Sequence, residues 1–276
     1  MQTDWLKDVQ RIELEMLEFL AAFCDTHNLR YYLIGGTLLG AVRHKGFIPW
    51  DDDVDVVMPR ADYDRFKALC KAELPNAYFL QTPEDSPRYP MEITKVRKKG
   101  TVYLTKLHQR FNTENPGIWI DIFPLDNVPH QRSFFQDFYG KLYQHVVKKI
   151  LFRYSEDPAV FTAIGRLQYR LVHLLPWKCY IALRKALLQH YNGRDCDYYA
   201  NYGSQYGYIK QTMPKSAYDP PVKLEFEGKL FSAPRDYDFI LRRIFGDYMQ
   251  LPPEEKRRMH TPLEVMIDPK EGFRKL

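Results

Sequence analysis

The sequence has no uninterrupted apolar run near the roughly 18 residues that would span a membrane. Its most apolar stretch, around Leu171 to Leu175, is broken by His173 and Pro176. Cysteine is sparse: the four residues Cys24, Cys70, Cys179 and Cys196 lie far apart, with no CxxC pair and no histidine at ligand spacing. That excludes a zinc-finger type site and a disulfide framework, and leaves reduced, buried thiols as the expectation. The N-terminus alternates charges with apolar residues and lacks the basic-then-apolar order of a signal peptide. A soluble, cytoplasmic protein is therefore expected. There is also little charge imbalance: 40 Lys and Arg against 35 Asp and Glu give a net +5, which suits anionic ligands but does not imply nucleic acid.

What is present is an ordinary globular composition, 45% hydrophobic and 27% charged, over 276 residues, enough for one large domain or two modest ones. Apolar residues three and four apart (Leu6, Val9, Ile12, Met16, Phe19, Leu20, Phe23) predict an amphipathic helix ending at His27 and Asn28. A short strand at Tyr31 to Ile34, a turn at Gly35 and Gly36 and a helix opened by Thr37 follow. Val54, Val56 and Val57 favour a strand that Pro59 stops, and Asp62 is expected to cap the next helix, which Pro75 ends. Further strands are expected at Tyr78 to Gln81, Glu92 to Arg97, Val102 to Leu104 and Ile118 to Phe123, the last stopped by Pro124. The expected fold is α/β: a mixed sheet flanked by helices in residues 1–129, packed as one unit with a mainly helical region over 130–276. That region reads as helical from Ser133 to Tyr191 with a break at Pro176-Trp177, followed by a hairpin turning at Glu227-Gly228 and a helix over Asp236 to Phe245.

Asp51-Asp52-Asp53-Val54-Asp55 crowds four carboxylates into five residues, and such like charges repel unless something positive lies between them. On a strand, residues two apart share a face, so Asp53 and Asp55 can point at one cation, with Asp51 on the same side. Oxygen ligands favour magnesium or manganese over zinc. Alone, the run also fits a solvated acidic turn. Two other features bear on it. Gly35, Gly36 and Thr37 open a helix about fifteen residues upstream, where exposed backbone N–H groups could cradle a phosphate. Asp121 stands alone in the apolar stretch Trp119-Ile120-Asp121-Ile122-Phe123, where a carboxylate is costly unless paired or metal-bound. Arg43 and His44 could add positive charge toward phosphate, and Lys95 and Arg97 alternate on a strand that could face the same cleft.

A glycine turn, a paired Asp-x-Asp and a later lone acid among apolar residues together resemble the nucleotidyltransferase fold superfamily. More narrowly, IGGTLLGAVRHKGFIPWDDDVDVVMPRADYDRF and WIDIFPLD resemble the LicD family of phosphotransferases, to which fukutin-type proteins are related, and a looser resemblance runs through FEGKLFSAPRDYDFILRRIFGDYMQLPP. The resemblance implies transfer of phosphocholine, or a related phospho-alcohol, from CDP-choline or a similar donor to a hydroxyl of a glycan such as teichoic acid or lipopolysaccharide. In that reading Asp53 and Asp55 hold the metal and Asp121 completes the site and helps deprotonate the attacking hydroxyl, while Asp51 and Asp52 support the turn. Two other readings stand beside it: nucleotidyl transfer to a small hydroxylated or amino compound with release of pyrophosphate, and a catalytically inactive nucleotide-binding protein. The basic, aromatic helices between Ser133 and Tyr191 suggest peripheral contact with the inner face of a membrane carrying lipid-linked glycans.

Overall fold

The computed structural model describes residues 4–85, 92–106, 109, 115–129, 134–153, 163–204, 206–207, 209–257, 262–268 and 274–275. Ser133, the expected start of the helical stretch, and 154–162 within it lie outside the described residues. The first half runs α1 (Asp4–Thr26), β1 (Tyr32–Leu33), α2 (Gly35–His44), β2 (Asp55–Pro59), α3 (Arg60–Glu73), β3 (Tyr78–Gln81), β4 (Thr94–Lys98), β5 (Val102–Leu104) and β6 (Trp119–Val128). Helices α4 (Phe134–Arg153), α5 (Ala163–Leu174) and α6 (Trp177–Gln189) follow. The chain then returns through β7 (Tyr198–Ala200), β8 (Thr212–Pro214), β9 (Val222–Phe226), β10 (Lys229–Ala233), α7 (Tyr237–Phe245), β11 (Glu264–Met266) and β12 (Arg274–Lys275).

The main sheet has the order β1-β2-β6-β4-β3, with β7 and then β8 continuing from the far end of β6. Only β2 and β6 pair in parallel; the other neighbours are antiparallel, so the sheet is mixed as expected. The predicted stripe of α1 is what it buries: Leu6, Val9, Ile12, Met16, Leu20 and Phe23 are all core residues. Phe19 stacks on Tyr78 at 4.6 Å and Phe23 meets Phe66 edge-on at 5.7 Å, which fixes α1 against β3 and α3. The β9–β10 hairpin turns at Glu227 and Gly228, both at positive φ (50° and 75°), the geometry that a two-residue hairpin loop requires.

Several boundaries differ from the sequence expectation, each for a local reason. Helix α2 starts at Gly35, not Thr37, because Gly35 takes φ +60° and turns the chain straight into the helix. Helix α3 starts at Arg60; Asp62 does not cap it but lies in its first turn and accepts from Arg30 Nε at 2.9 Å. Strand β4 starts at Thr94 rather than Glu92. Strand β6 runs through Pro124 to Val128. The Asp121 N–H donates toward β2, to the Val54 carbonyl at 2.8 Å, so by alternation residue 124 faces the other edge. There β4 pairing has ended at Ile122 and β7 pairing begins only at Asp126, so the proline interrupts no ladder bond.

A second, smaller core joins α4 and α6 to the end of β6 and to β7, through Val128, Tyr143, Val146, Ile150, Leu187 and Leu188. Beneath it is a closed charge network. Arg60 clasps Asp126 with two bonds of 2.7 and 2.9 Å, Asn192 Nδ2 adds a third to Asp126 at 2.6 Å, and Arg184 of α6 pairs with Glu92 at 3.1 Å. Asp126 is fully buried, so removing its carboxylate leaves the buried Arg60 without its two hydrogen-bonded partner oxygens, with Glu92 and Asp64 no nearer than 3.7 Å. Asp126→Ala is expected to cost about 3–5 kcal/mol in chemical denaturation, the range for breaking a buried pair. A loss below about 1 kcal/mol would show that the network does not anchor the helical segment.

Candidate active site

The parallel register of β2 and β6 places Asp55 directly beside Asp121, and the antiparallel register of β4 places Lys95 on the other side of Asp121. Three charged residues thus lie in a row across three central strands. Lys95 Nζ donates to Asp121 Oδ1, and Trp119 Nε1 donates to Asp121 Oδ2 at 3.0 Å. Burial pushes the Lys95 ammonium down, against the upward pull of Asp121. Of the two cations expected to face the cleft, Lys95 reaches the carboxylates. Arg97 instead donates to Gln81 Oε1 at 2.7 Å and the Gly117 carbonyl at 2.9 Å, in the core.

Asp55 has its backbone held on both sides: its N–H donates to Thr37 Oγ1 at 2.8 Å and its carbonyl accepts from Ile34 N–H at 3.2 Å. Thr37 is buried, so its hydroxyl serves to position Asp55. The two glycines are needed for close approach. A Cβ on Gly35 would stand 2.9 Å from Asp55 Oδ2, and one on Gly36 would stand 2.5 Å from Asp51 Oδ2. The carboxylates therefore press onto the first turn of α2, where the helix dipole and its leading N–H groups favour negative charge. Asp52 turns inward, buried, with Tyr103 Oη donating to it.

Gly35, Gly36, Arg43, Asp51, Asp52, Asp53 and Asp55 line one cavity of about 740 Å³. Arg43 reaches across it to the Tyr248 carbonyl at 2.8 Å, and burial lowers its pKa. His44 does not line the cavity; it accepts from Arg43 Nε at 2.9 Å, and burial together with the Arg43 charge pushes its imidazole down, favouring the neutral form. Thr37 and Asp121 also stand behind the lining, Asp121 one strand over from Asp55.

The donor set suits a hard divalent cation: all the cavity carboxylates offer oxygen, and no thiol or imidazole joins them. Their mutual repulsion points the same way. Asp55 has its pKa raised well above the usual carboxylate range by burial first, then by the charges of Asp53, Asp121 and Asp51, with Lys95 pulling it back. Among the described residues no three such side chains already stand as a ligating group.

Sequence reasoning missed two parts of the site. The lining also includes Trp50, Tyr206, Phe245, Asp247 and Tyr248, four aromatic side chains and an acid; only Trp50 carried a signal, its adjacency to the aspartate run. Glu13 of α1, read only as part of an amphipathic helix, is buried against the acidic loop. A prediction follows for the first turn of α2. Gly35→Ala forces a left-handed residue to carry a Cβ, at a backbone cost of about 1–2 kcal/mol, and pushes on Asp55. A lowered unfolding midpoint together with weaker divalent-cation binding in calorimetric titration is the expected result. Cation binding unchanged in Gly35→Ala would mean that Asp55 has no part in it.

The family description "LicD/FKTN/FKRP, nucleotidyltransferase domain" matches residues 28–155, from the end of α1 through the acidic loop and β6 to the end of α4. The lipopolysaccharide cholinephosphotransferase LicD of Haemophilus influenzae is 33% identical over 267 residues, covering 95% of this chain and 98% of that protein. The ribitol 5-phosphate transferase FKRP of Homo sapiens is 39% identical over 59 residues, 21% of this chain and 12% of its own length. A similarity running through nearly the whole of both chains, with the glycine turn and the acidic loop inside the matched segment, establishes that this chain belongs to the LicD family of phosphotransferases.

Proposed function

We propose that this protein transfers phosphocholine, or a closely related phospho-alcohol, from a CDP-activated donor to a hydroxyl of a cell-surface glycan such as teichoic acid or lipopolysaccharide, releasing CMP. The observation that carries this reading is the union, in one cavity, of the acidic loop with an aromatic wall: Asp51, Asp53 and Asp55 face Trp50, Tyr206, Phe245 and Tyr248, with Asp247 beside them. Carboxylates that gather a divalent cation suit a pyrophosphate, and aromatic faces next to an acid suit a quaternary ammonium. The named activity of the Haemophilus relative, similar over nearly its whole length, supports choline as the alcohol.

In this reading Asp53 and Asp55 hold magnesium or manganese, and Asp121 completes the site from behind Asp55. The bound ion neutralises charge on the donor pyrophosphate. Arg43 adds positive charge at the rim of the cavity. The acceptor oxygen forms a bond to the phosphorus that carries choline, the bridging P–O bond to CMP breaks, and the hydroxyl proton passes to a carboxylate of the cavity. Asp121, expected from sequence to take that proton, has Lys95 and Trp119 on its two oxygens and stands off the cavity wall, which favours a positioning role for it. Asp51, a cavity carboxylate that this reading does not assign to the ion, is the better placed base.

The purified protein with CDP-choline and magnesium should release CMP, and EDTA should stop it. Asp53→Asn and Asp55→Asn should each abolish turnover while leaving the unfolding midpoint equal to or above that of the parent, since a repelling charge has gone. Release of pyrophosphate from a nucleoside triphosphate in place of CMP would favour nucleotidyl transfer. Activity retained in either variant would refute the metal assignment.

The helical segment supports a site of action at the inner face of a membrane. Leu167, Leu171 and Leu174 form an outward stripe on α5 at 58%, 53% and 75% exposure, continued by Leu175. No Asp or Glu occurs between residues 158 and 194, while Arg166, Arg170, Lys178 and Lys185 are exposed around the stripe. Exposed apolar side chains on a segment whose exposed charges are basic fit an anionic lipid surface. Among the described residues no helix is long and apolar enough to cross a membrane. Flotation with phosphatidylglycerol vesicles should carry the protein, weakly in high salt, and the triple change of Leu167, Leu171 and Leu174 to Ser should abolish it. Absence of flotation by the unmodified protein would sink the idea.

A further inference from the structure

The acidic site has a member that no sequence motif announces. Glu13 sits on α1, one turn beyond Gln10, whose Nε2 donates to the Asp51 carbonyl at 2.8 Å and so docks this face of the helix on the acidic loop. Glu13 is 2% exposed, and its Oε2 is buried with no hydrogen-bond partner. The strongest charges acting on it are acids: Asp53, Asp52, Asp51 and Asp121, in that order. Tyr103, whose hydroxyl is committed to Asp52, lies within reach of the same two charges, Glu13 and Asp53.

This arrangement makes no sense as packing. The positions around it on α1, Ile12, Met16 and Leu17, are filled by buried aliphatic side chains, and a core carboxyl with a bare oxygen is among the costlier occupants such a position could have. Elsewhere in this protein buried acids are closed off: Asp126 receives Arg60 and Asn192, and Glu92 receives Arg184. Glu13 alone among these buried acids leaves an oxygen open toward a cluster of its own sign. A buried carboxylate oxygen with no partner, on a helix face docked against a run of aspartates, is what a divalent cation satisfies.

We infer that Glu13 is a further carboxylate of the divalent-cation site, adding from α1 to the hold that Asp53 and Asp55 exert from the cavity side. The inference rests on the cation reading of the proposed function. In consequence the cation site is built from three separated parts of the chain: α1, the acidic loop with β2, and β6.

The test is titration of the full-length protein with Mn²⁺, following the free ion by electron paramagnetic resonance, alongside thermal unfolding with and without metal. Glu13→Gln keeps the shape and removes the charge. It should bind Mn²⁺ at least about tenfold more weakly, the scale on which supporting groups act at metal sites. Its unfolding midpoint without metal should equal or exceed that of the parent, and the gain on adding Mn²⁺ should shrink. Glu13→Met, which suits a buried position, serves if the first variant folds poorly. Glu15→Gln removes the same charge from the exposed side of the same helix and should leave affinity unchanged. Affinity of Glu13→Gln within about twofold of the parent, or equal loss in Glu15→Gln, overturns the assignment. If the parent binds Mn²⁺ and Asp53→Asn does not while Glu13→Gln does, only the role of Glu13 falls; if the parent binds none, the cation reading falls with it.

Discussion

The parallel pairing of β2 with β6 is the constraint on which the centre of this molecule depends. It sets Asp55 against Asp121 at one level of the sheet, and β4 brings Lys95 to the same level from the other side. Because neighbouring strands lie about 4.8 Å apart, two carboxylates in register at this spacing repel strongly once water is excluded. Lys95 offsets one of them. Asp51 and Asp53, contributed by the loop that feeds β2, add to the excess, and the first turn of α2 offers partial positive charge at its leading N–H groups. The rest of the local architecture keeps these groups together against their repulsion: Thr37 and Ile34 grip the backbone of Asp55, Gln10 grips that of Asp51, and Gly35 and Gly36 leave room for the carboxylates to sit close.

Such a cluster is a cost to the fold, and the protein places it where the scaffold is stiffest. Asp55 opens β2, whose remaining residues are buried, and its backbone is bonded to Thr37 and Ile34, so it cannot relax by swinging out into solvent. Strain of this kind, stored at a site and supported by its surroundings, is what allows a cation to be held without prior collapse of the site around it. The chain after β8 serves the same end. The hairpin β9–β10 and helix α7 pack on α2 and β1, and the end of α7 with the segment beyond it brings Phe245, Asp247 and Tyr248 to the cavity. The cavity is closed by residues nearly two hundred positions away from its carboxylates.

The sequence made the acidic half of this site legible, and physics explains why. Four aspartates in five residues fit a cation site or a solvated turn, and a lone Asp in Trp119-Ile120-Asp121-Ile122-Phe123, costly unless paired or metal-bound, tips the reading toward the first. The valines of β2 and the stripe of α1 likewise mark their elements from residue type and period. Glu13 was not legible, since it stands at an ordinary position of an amphipathic helix and its meaning comes only from what α1 packs against. The aromatic wall was not legible because Tyr206, Phe245 and Tyr248 are three among many aromatic residues, most of which fill cores. Pro124 misled because its effect depends on which edge of β6 it faces, a property of pairing partners and not of the strand itself.

Strand β6 carries two buried aspartates five residues apart, and their contrast separates structure from function on a single element. Asp126 is answered completely: two bonds from Arg60, one from Asn192, and a second acid–base pair, Glu92 with Arg184, beside it. Nothing in its surroundings calls for a further charge, and its work is to join the helical segment to the sheet. Asp121 has Lys95 and Trp119, yet it belongs to a group with Asp51, Asp52, Asp53, Asp55 and Glu13 in which carboxylates outnumber the cations among them. A buried network that balances is a joint. One that crowds carboxylates together while close-packed, glycine-lined and open to a cavity on one side is arranged to receive a cation and whatever phosphate the cation brings with it.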